Sequence, residues 1–252
     1  MSLSVLILTL NEEQNLPNCL ASLAWCDDIV VLDSFSTDQT VKIAEAAGAR
    51  VVQRRFDNYA AQRNHGLNEI SYKHDWVLMI DADEIWPDKL IEEIKMEVTK
   101  AGNSKCLYRV RRKDFFMGKW LKRSSGYPTW TGRLLKLGHV RVNREINEEY
   151  HTDAEIGFLK EHFHHYPFNK GFAAWLEKHN RYSDMEAAFI AQGKNAVVWR
   201  NLLSRDPSVR RQFVKALVYK MPGRPMIMFF LLYGVRGGFL DGRAGFTYCL
   251  LR

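Results

Sequence analysis

The sequence predicts an α/β fold, a mostly parallel sheet flanked by helices, on three observations. Four short apolar runs without helical period, at residues 2–10, 28–33, 49–53 and 75–81, read as strands buried on both faces. Helix-start residues and helical spacing fill the segments between them, and such alternation gives a parallel sheet with right-handed crossovers. Polar turns follow the strands, at the end of the sheet where open α/β folds hold ligands.

In order, the first run ends in Asn11-Glu12-Glu13-Gln14-Asn15, a loop able to hydrogen-bond a ligand, and Pro17 suits the first turn of a helix over 16–24. The turn Asp33-Ser34-Phe35-Ser36-Thr37-Asp38 is rich in capping residues and starts a helix ending at Gly48. A helix over 57–71 carries Gln62, Arg63 and Asn64. Residues 87–100 form an amphipathic helix with Leu90, Ile91, Ile94 and Val98 on one face. Residues 105–112 alternate as a strand, 127–130 read as a loop, 133–137 as a strand, and a short strand is expected near Ile156 before the cluster His162, His164 and His165. A long helix is predicted over 172–191. Asp206-Pro207 starts another, whose Arg210, Arg211, Lys215 and Lys220 oppose Val209, Phe213, Ala216 and Leu217, the pattern of a helix on an anionic surface. Residues 226–235 are apolar but too few to span a bilayer.

The 252 residues, 46% hydrophobic and 26% charged, can bury a core as one domain with an appendage or as two small domains. Four cysteines without metal-site spacing, and a first segment that reads as a strand rather than a signal peptide, point to a reduced cytosolic setting. The net charge of +7 is localised: ten Lys and Arg against Asp206 and Asp241 give +8 from residue 196 onward, leaving −1 for the rest. No nucleic-acid-binding motif accompanies that charge. Neither G-x-G-x-x-G nor G-x-x-x-x-G-K-[ST] follows a strand, which disfavours dinucleotide-dependent dehydrogenases and P-loop NTPases.

The run over 75–81 delivers Asp81 and Asp83 at its carboxyl end. Two carboxylates one residue apart repel unless positive charge intervenes, and hard oxygen ligands suit Mg²⁺ or Mn²⁺. Read alone, the pair is equally an acidic turn capping the next helix.

Together these residues resemble a family-2 glycosyltransferase of the GT-A fold. The matching elements, in order, are Thr9-Leu10-Asn11-Glu12, the turn from Val31 to Asp38, Gln62-Arg63-Asn64 and Asp81-Ala82-Asp83. Arg133-Leu134-Leu135, Glu145, Gly157-Phe158-Leu159 leading to His165-Tyr166, Lys178-His179 with Tyr182-Ser183, and Gly238-Phe239-Leu240-Asp241-Gly242 are similar to its lipopolysaccharide-core β-glucosyltransferase-like branch. That branch usually has His before the glutamate, where this chain has Arg144.

The resemblance implies a GT-A catalytic domain over 1–166, its nucleotide-binding half about 1–100 and its acceptor half about 101–166, followed by a helical, membrane-associating extension over 167–252. It implies inverting transfer of a sugar from a nucleotide diphosphate donor, a UDP-sugar, to a hydroxyl of a lipid-linked or lipopolysaccharide-type acceptor. Asp83 and Asp81 are expected to hold Mg²⁺ or Mn²⁺, with His165 as a third ligand. Thr9, Asn11, Glu12 and Asp33 are expected around the nucleoside, Arg63 near the diphosphate, and Arg133 with Trp130 at the sugar. Glu145 is the expected base, with Glu148 its rival. The cationic tail is expected at the inner face of the cytoplasmic membrane, unless Phe229, Phe230 and Leu231 lie in a core or a dimer interface. A sugar nucleotidyltransferase and a non-catalytic sugar-nucleotide-binding or scaffold module are the competing readings; the first lacks its glycine-rich loop here, and the second needs no base.

Overall fold

The computed structural model describes residues 3–143, 149–191, 199–204, 206–218 and 221–251. The chain forms two compact units, Met1–Arg111 with Gly132–Lys170, and Arg112–Thr131 with Gly171–Arg252.

The first unit opens with the predicted alternation: β1 (Ser4–Thr9), α1 (Leu16–Ala21), β2 (Ile29–Asp33), α2 (Thr40–Ala46), β3 (Arg50–Gln53), α3 (Tyr59–Asn68) and β4 (Trp76–Asp81). Then come the two-residue β5 (Glu84–Ile85), α4 (Asp88–Thr99), β6 (Lys105–Phe116), β7 (Lys119–Trp120), β8 (Thr129–Lys136), β9 (Arg141–Asn143), β10 (Glu149–His151) and β11 (Glu155–His165). The main sheet runs β3-β2-β1-β4-β8-β6-β11-β5, and β9 pairs with β10 apart from it. Strands β1, β2, β3 and β4 pair in parallel, whereas β4 with β8 and β11 with β5 are antiparallel. The chain steps from β1 outward through β2 to β3, then returns to place β4 on the other side of β1. The crevice at the carboxyl ends of β1 and β4 is therefore a topological switch point.

Period-two alternation explains why both faces of these strands are apolar. Val5 and Ile7 face one core with Leu16, Cys19 and Leu23 from the α1 region and Leu90, Ile91 and Ile94 from α4. Leu6 faces the other with Val77, Met79, Leu107, Leu135 and, from α3, Ala60 and Leu67. Each such buried aliphatic side chain contributes about 1.5–3 kcal/mol. Val98, expected on the buried face of α4, packs at the core margin. Helix α3 starts two residues later than expected because Asn58 caps it, its side chain accepting from Ala61 N at 2.8 Å. It lies tight against β1, where a Cβ on Gly66 would come within 2.4 Å of Leu6 Cδ2.

In the second unit, the end of β6 pairs with β7, Phe116 opposite Lys119. Met117 and Gly118 between them both have positive φ, the geometry of a tight hairpin turn. The helices are α5 (Gly171–Ala191), α6 (Pro207–Val218), α7 (Arg224–Phe229) and α8 (Gly242–Leu250), with single turns at Trp199–Leu203, Phe230–Val235 and Gly238–Asp241. The apolar stretch over 226–235 is thus divided between α7 and a π-helical turn. Among the described residues no helix is long and apolar enough to cross a membrane. Phe213 of α6 is buried against Trp199, and Arg210 on the same helix is exposed.

Candidate active site

Strand β4 ends at Asp81 and β5 begins at Glu84, leaving Ala82 buried and Asp83 half-buried between them. Asp81 accepts at Oδ1 from Arg63 Nη2 at 3.0 Å and at Oδ2 from Arg133 Nη2 at 2.7 Å. Both arginines are buried. Arg63 is further fixed by Nε donating to the Tyr150 hydroxyl at 3.0 Å, so it is not the solvated helix-face arginine that its sequence setting allowed. Arg133 also donates to Glu84 Oε1 at 2.5 Å and lies over the Phe163 ring, which stacks on Trp86.

Pairing of β11 with β5 sets His165 opposite Glu84. This register carries the histidine across eighty residues of sequence and brings its Nε2 to 3.4 Å from Asp83 Oδ2. Tyr166 N donates to Asp83 O at 2.9 Å, locking the turn to the end of β11.

Asp81 and Glu84 share the Arg133 guanidinium, and Asp83 adds a third carboxyl close enough to act on Glu84. Glu84, 1% exposed, bears the consequence. Burial pushes its carboxyl up from 4.5 to about 7, against the pull of Arg133 and with the push of Asp81. Burial works against the charge of Arg133 as well, but Asp81 and Glu84 hold it protonated. Because the native carboxyl binds its proton more tightly than the unfolded one, its contribution to stability is fully present below pH 4.5 and is lost as pH rises to about 7. Glu84→Gln is therefore expected to gain stability relative to the parent as pH rises between these limits. Urea denaturation at pH 4.5 and pH 8 checks this, and an unchanged difference between the two proteins would refute it.

At the end of β1 and β2, Asp33 is fully buried. It accepts from Thr9 Oγ1 at 2.9 Å, Ser36 N at 2.8 Å, Ser36 Oγ at 2.5 Å and Gln53 Nε2 at 3.2 Å. Four donors fill the acceptor positions of one carboxylate. Any further donor to Asp33 has to displace one of them, and Gln53, exposed and the most distant, is the most readily displaced. Asn11 crosses to the same turn, its N donating to Ser36 Oγ and its Oδ1 accepting from Thr37 N, each at 2.8 Å. Both Asn11 and Phe35 have left-handed backbones, φ 54 and 60; the short polar side chain tolerates this, while for Phe35 it costs roughly 1–2 kcal/mol and leaves the ring half exposed. Glu12 pairs with Lys170 at 2.8 Å and accepts from Asn15 Nδ2 at 2.8 Å. Its carboxyl is raised by burial and by the charge of Asp83.

Gln62 bridges Arg54 and Ser34. Asn64 grips the backbone of β9, donating to Val142 O at 2.7 Å and accepting from Val142 N at 2.9 Å. Strand β9 pairs with β10, Asn143 opposite Glu149. The expected base Glu145, its rival Glu148 and Arg144 lie outside the described residues. Trp130 is half-buried on β8.

Among the described residues no three His, Cys, Asp or Glu side chains converge as a metal site. The donor set at Asp83 and His165, a carboxylate oxygen and an imidazole nitrogen in contact, fits a divalent cation of the Mn²⁺ type. Asp81 stands differently: arginines occupy both of its oxygens.

Glu84, Tyr150 and Lys170 were not singled out from the sequence. For Glu84 a signal existed, because Ala82, Glu84 and Trp86 share the inward phase of one alternation. Tyr150 and Lys170 join the site through pairings that local spacing does not encode.

The pattern of the family described as "Glycosyl transferase family 2" matches residues 4–167. The chain is 27% identical to the lipopolysaccharide core biosynthesis glycosyltransferase LpsC of Rhizobium meliloti (strain 1021), over 100% of this chain and 90% of that protein. A 94-residue stretch, 37% of the chain, is 39% identical to an uncharacterized glycosyltransferase of Rickettsia bellii (strain RML369-C), covering 31% of it. A solved structure of glucosyl-3-phosphoglycerate synthase from Mycobacterium tuberculosis, in complex with Mn²⁺, UDP and glucosyl-3-phosphoglycerate, is 29% identical over 46% of this chain and 44% of that one, with a TM-score of 0.36. The chain thus spans most of LpsC but less than half of the other two. With the family pattern running from β1 past His165, through every residue gathered around Asp81 and Asp83 except Lys170, the chain belongs to glycosyl transferase family 2 and is a glycosyltransferase.

Proposed function

We propose that the protein is an inverting transferase that moves a sugar from a nucleotide diphosphate, a UDP-sugar, to a hydroxyl of a lipid-linked or lipopolysaccharide-type glycan of the cell envelope. The observation that carries this reading is the Asp83–His165 contact at the switch point of the sheet, beside Asp81 held by two buried arginines. Likeness to LpsC over the whole chain favours an envelope glycan as acceptor.

The nucleoside lies against Thr9, Asn11, Glu12 and the Asp33 turn, with Asp33 accepting from the base when Gln53 yields. Asp83 and His165 would hold Mg²⁺ or Mn²⁺, which would supply Lewis-acid neutralisation of the departing diphosphate. Asp81 orients Arg63 and Arg133, which present positive charge toward the diphosphate and the sugar. Glu145 takes the proton of the acceptor hydroxyl as its oxygen bonds to the anomeric carbon; the bond from that carbon to the diphosphate breaks, its electron pair leaves with the phosphate oxygen, and the configuration inverts.

The helical extension beyond residue 166 makes the acceptor-side contact with an anionic membrane at its inner, cytoplasmic face. Exposed Met226, Phe230, Phe239, Leu240 and Phe246 among basic residues support this contact. A thermal-shift screen of nucleotide sugars with Mn²⁺ and with EDTA tests the donor site. UDP-sugars are expected to raise the melting point with Mn²⁺ and much less with EDTA, and equal shifts would defeat the metal-assisted reading.

A further inference from the structure

In the second unit, a cavity of about 350 Å³ is lined by Lys122, Arg123, Tyr127, Val235 and Arg236. Three of its five lining residues are cationic and none is acidic. Among the described residues none of the three cations forms an ion pair with a carboxylate. The nearby acid, Asp241, is buried and is used in construction instead. Its Oδ2 accepts from Arg123 N at 2.9 Å and from Ser124 N and Oγ, each at 2.8 Å, while its carbonyl accepts from Lys119 Nζ at 3.1 Å.

All three cations are exposed at the rim of the cavity, and one of them is tied to the backbone. Arg236 donates through Nη2 to Tyr127 O at 2.8 Å, which fixes its guanidinium and leaves other N–H groups of the fork for a ligand. The Arg123 side chain packs beside Gly237, whose φ of 73 favours glycine, with Nη1 3.7 Å from where a Cβ would stand, an ordinary van der Waals distance. Lys122 Nζ lies 5.7 Å from the centre of the Trp120 ring, and Trp120 meets Tyr127 edge-on. Like charges gathered without a counter-ion repel one another, and an anion in the cavity removes that cost. Two arginines match a tetrahedral, multiply charged oxyanion better than a lone carboxylate, because the planar fork binds phosphate oxygens in pairs. The volume admits a sugar phosphate.

We propose that this cavity is a binding site for a phosphate monoester, through which the protein holds a phosphorylated sugar of its acceptor. The phosphate site stands on the second unit alone, and its part in holding the acceptor rests on the transferase reading above. Its test uses the full chain, with glucose 6-phosphate against glucose at matched ionic strength, and phosphatidylcholine vesicles with and without phosphatidic acid. Glucose 6-phosphate is expected to bind where glucose does not. Its affinity should fall about tenfold or more in Arg123→Gln and in Arg236→Gln, the loss of one charged hydrogen bond, while UDP affinity is unchanged. Binding only to vesicles containing phosphatidic acid, with the same dependence on both arginines, keeps the phosphate site and assigns the phosphate to a lipid headgroup. The proposal is overturned if neither phosphate source binds, if both variants bind as the parent does, or if UDP affinity falls in step. Failure of the donor-site reading would appear separately, as absence of UDP binding in the unaltered protein.

Discussion

Asp83→Asn is expected to lower the rate of sugar transfer by about a thousandfold or more, with the protein still folded. The substitution keeps the shape of the side chain and the Tyr166 N to Asp83 O hydrogen bond, because that bond is to the backbone. What it removes is the negative charge beside His165, leaving an imidazole and a neutral amide where a cation needs an ionised oxygen. The loss should also appear without turnover, since the Mn²⁺-dependent part of UDP stabilisation disappears. Asp81→Asn behaves differently on this geometry. It leaves Arg63 and Arg133 with a weaker acceptor, so its main effect is expected on folding stability and diphosphate affinity rather than on metal dependence. Wild-type turnover in Asp83→Asn, measured with EDTA-stripped and Mn²⁺-loaded protein, would remove this residue from the mechanism.

Glu145→Gln is expected to lower transfer by 10²–10⁴-fold, the usual contribution of a general base, while UDP and UDP-sugar affinities stay within about twofold. An amide of the same size cannot accept the hydroxyl proton. The same change at Glu148 serves as the comparison: if it alone stops transfer, the two residues exchange roles. Donor hydrolysis in the absence of acceptor gives a second readout, because water can replace the acceptor hydroxyl.

Much of the first unit was legible because its central strands are buried on both faces, and continuous apolar runs such as residues 75–81 cannot be satisfied elsewhere. The carboxylate pair at the end of that run was legible for the same reason, as a polar step following a strand with no surface of its own. Elements at the sheet's antiparallel side were harder. Strand β6 was expected over 105–112 and reaches Phe116, because the turn that ends it is Met117-Gly118 rather than a strong turn signal. Strand β11 was expected only near Ile156 and runs to His165, with Lys160, His162 and His164 in its outward phase and the polar Glu161 and His165 interrupting the inward phase of Leu159 and Phe163. The loop expected over 127–130 gives way to β8 from Thr129.

Site chemistry divides along the same line. Asp81 and Asp83 belong to one turn after a buried strand and are visible in the residues themselves, whereas Thr9 and Asp33, on neighbouring strands, were expected at the site through the family resemblance. The contacts of Asp83 with His165, Arg63 with Tyr150 and Asn64 with Val142 depend on strand register and helix docking. Those are decided by the packing of the whole unit, so the motif at Arg63 and Asn64 leaves Tyr150 and Val142 unspecified, while His165 was expected beside Asp83 only through the family resemblance.

Gly66 shows how a missing side chain can set the geometry of a site. With the Leu6 side chain occupying the place where its Cβ would stand, the helix that carries Arg63 and Asn64 packs directly on that leucine. The reach of Arg63 to Asp81 and of Asn64 to Val142 is measured from that floor. Adding one carbon at position 66 requires either the Leu6 side chain or the helix to move, and any rise of the helix draws the guanidinium and the amide away from their partners together. A residue with no functional group thus acts as the spacer that keeps two functional ones in calibration.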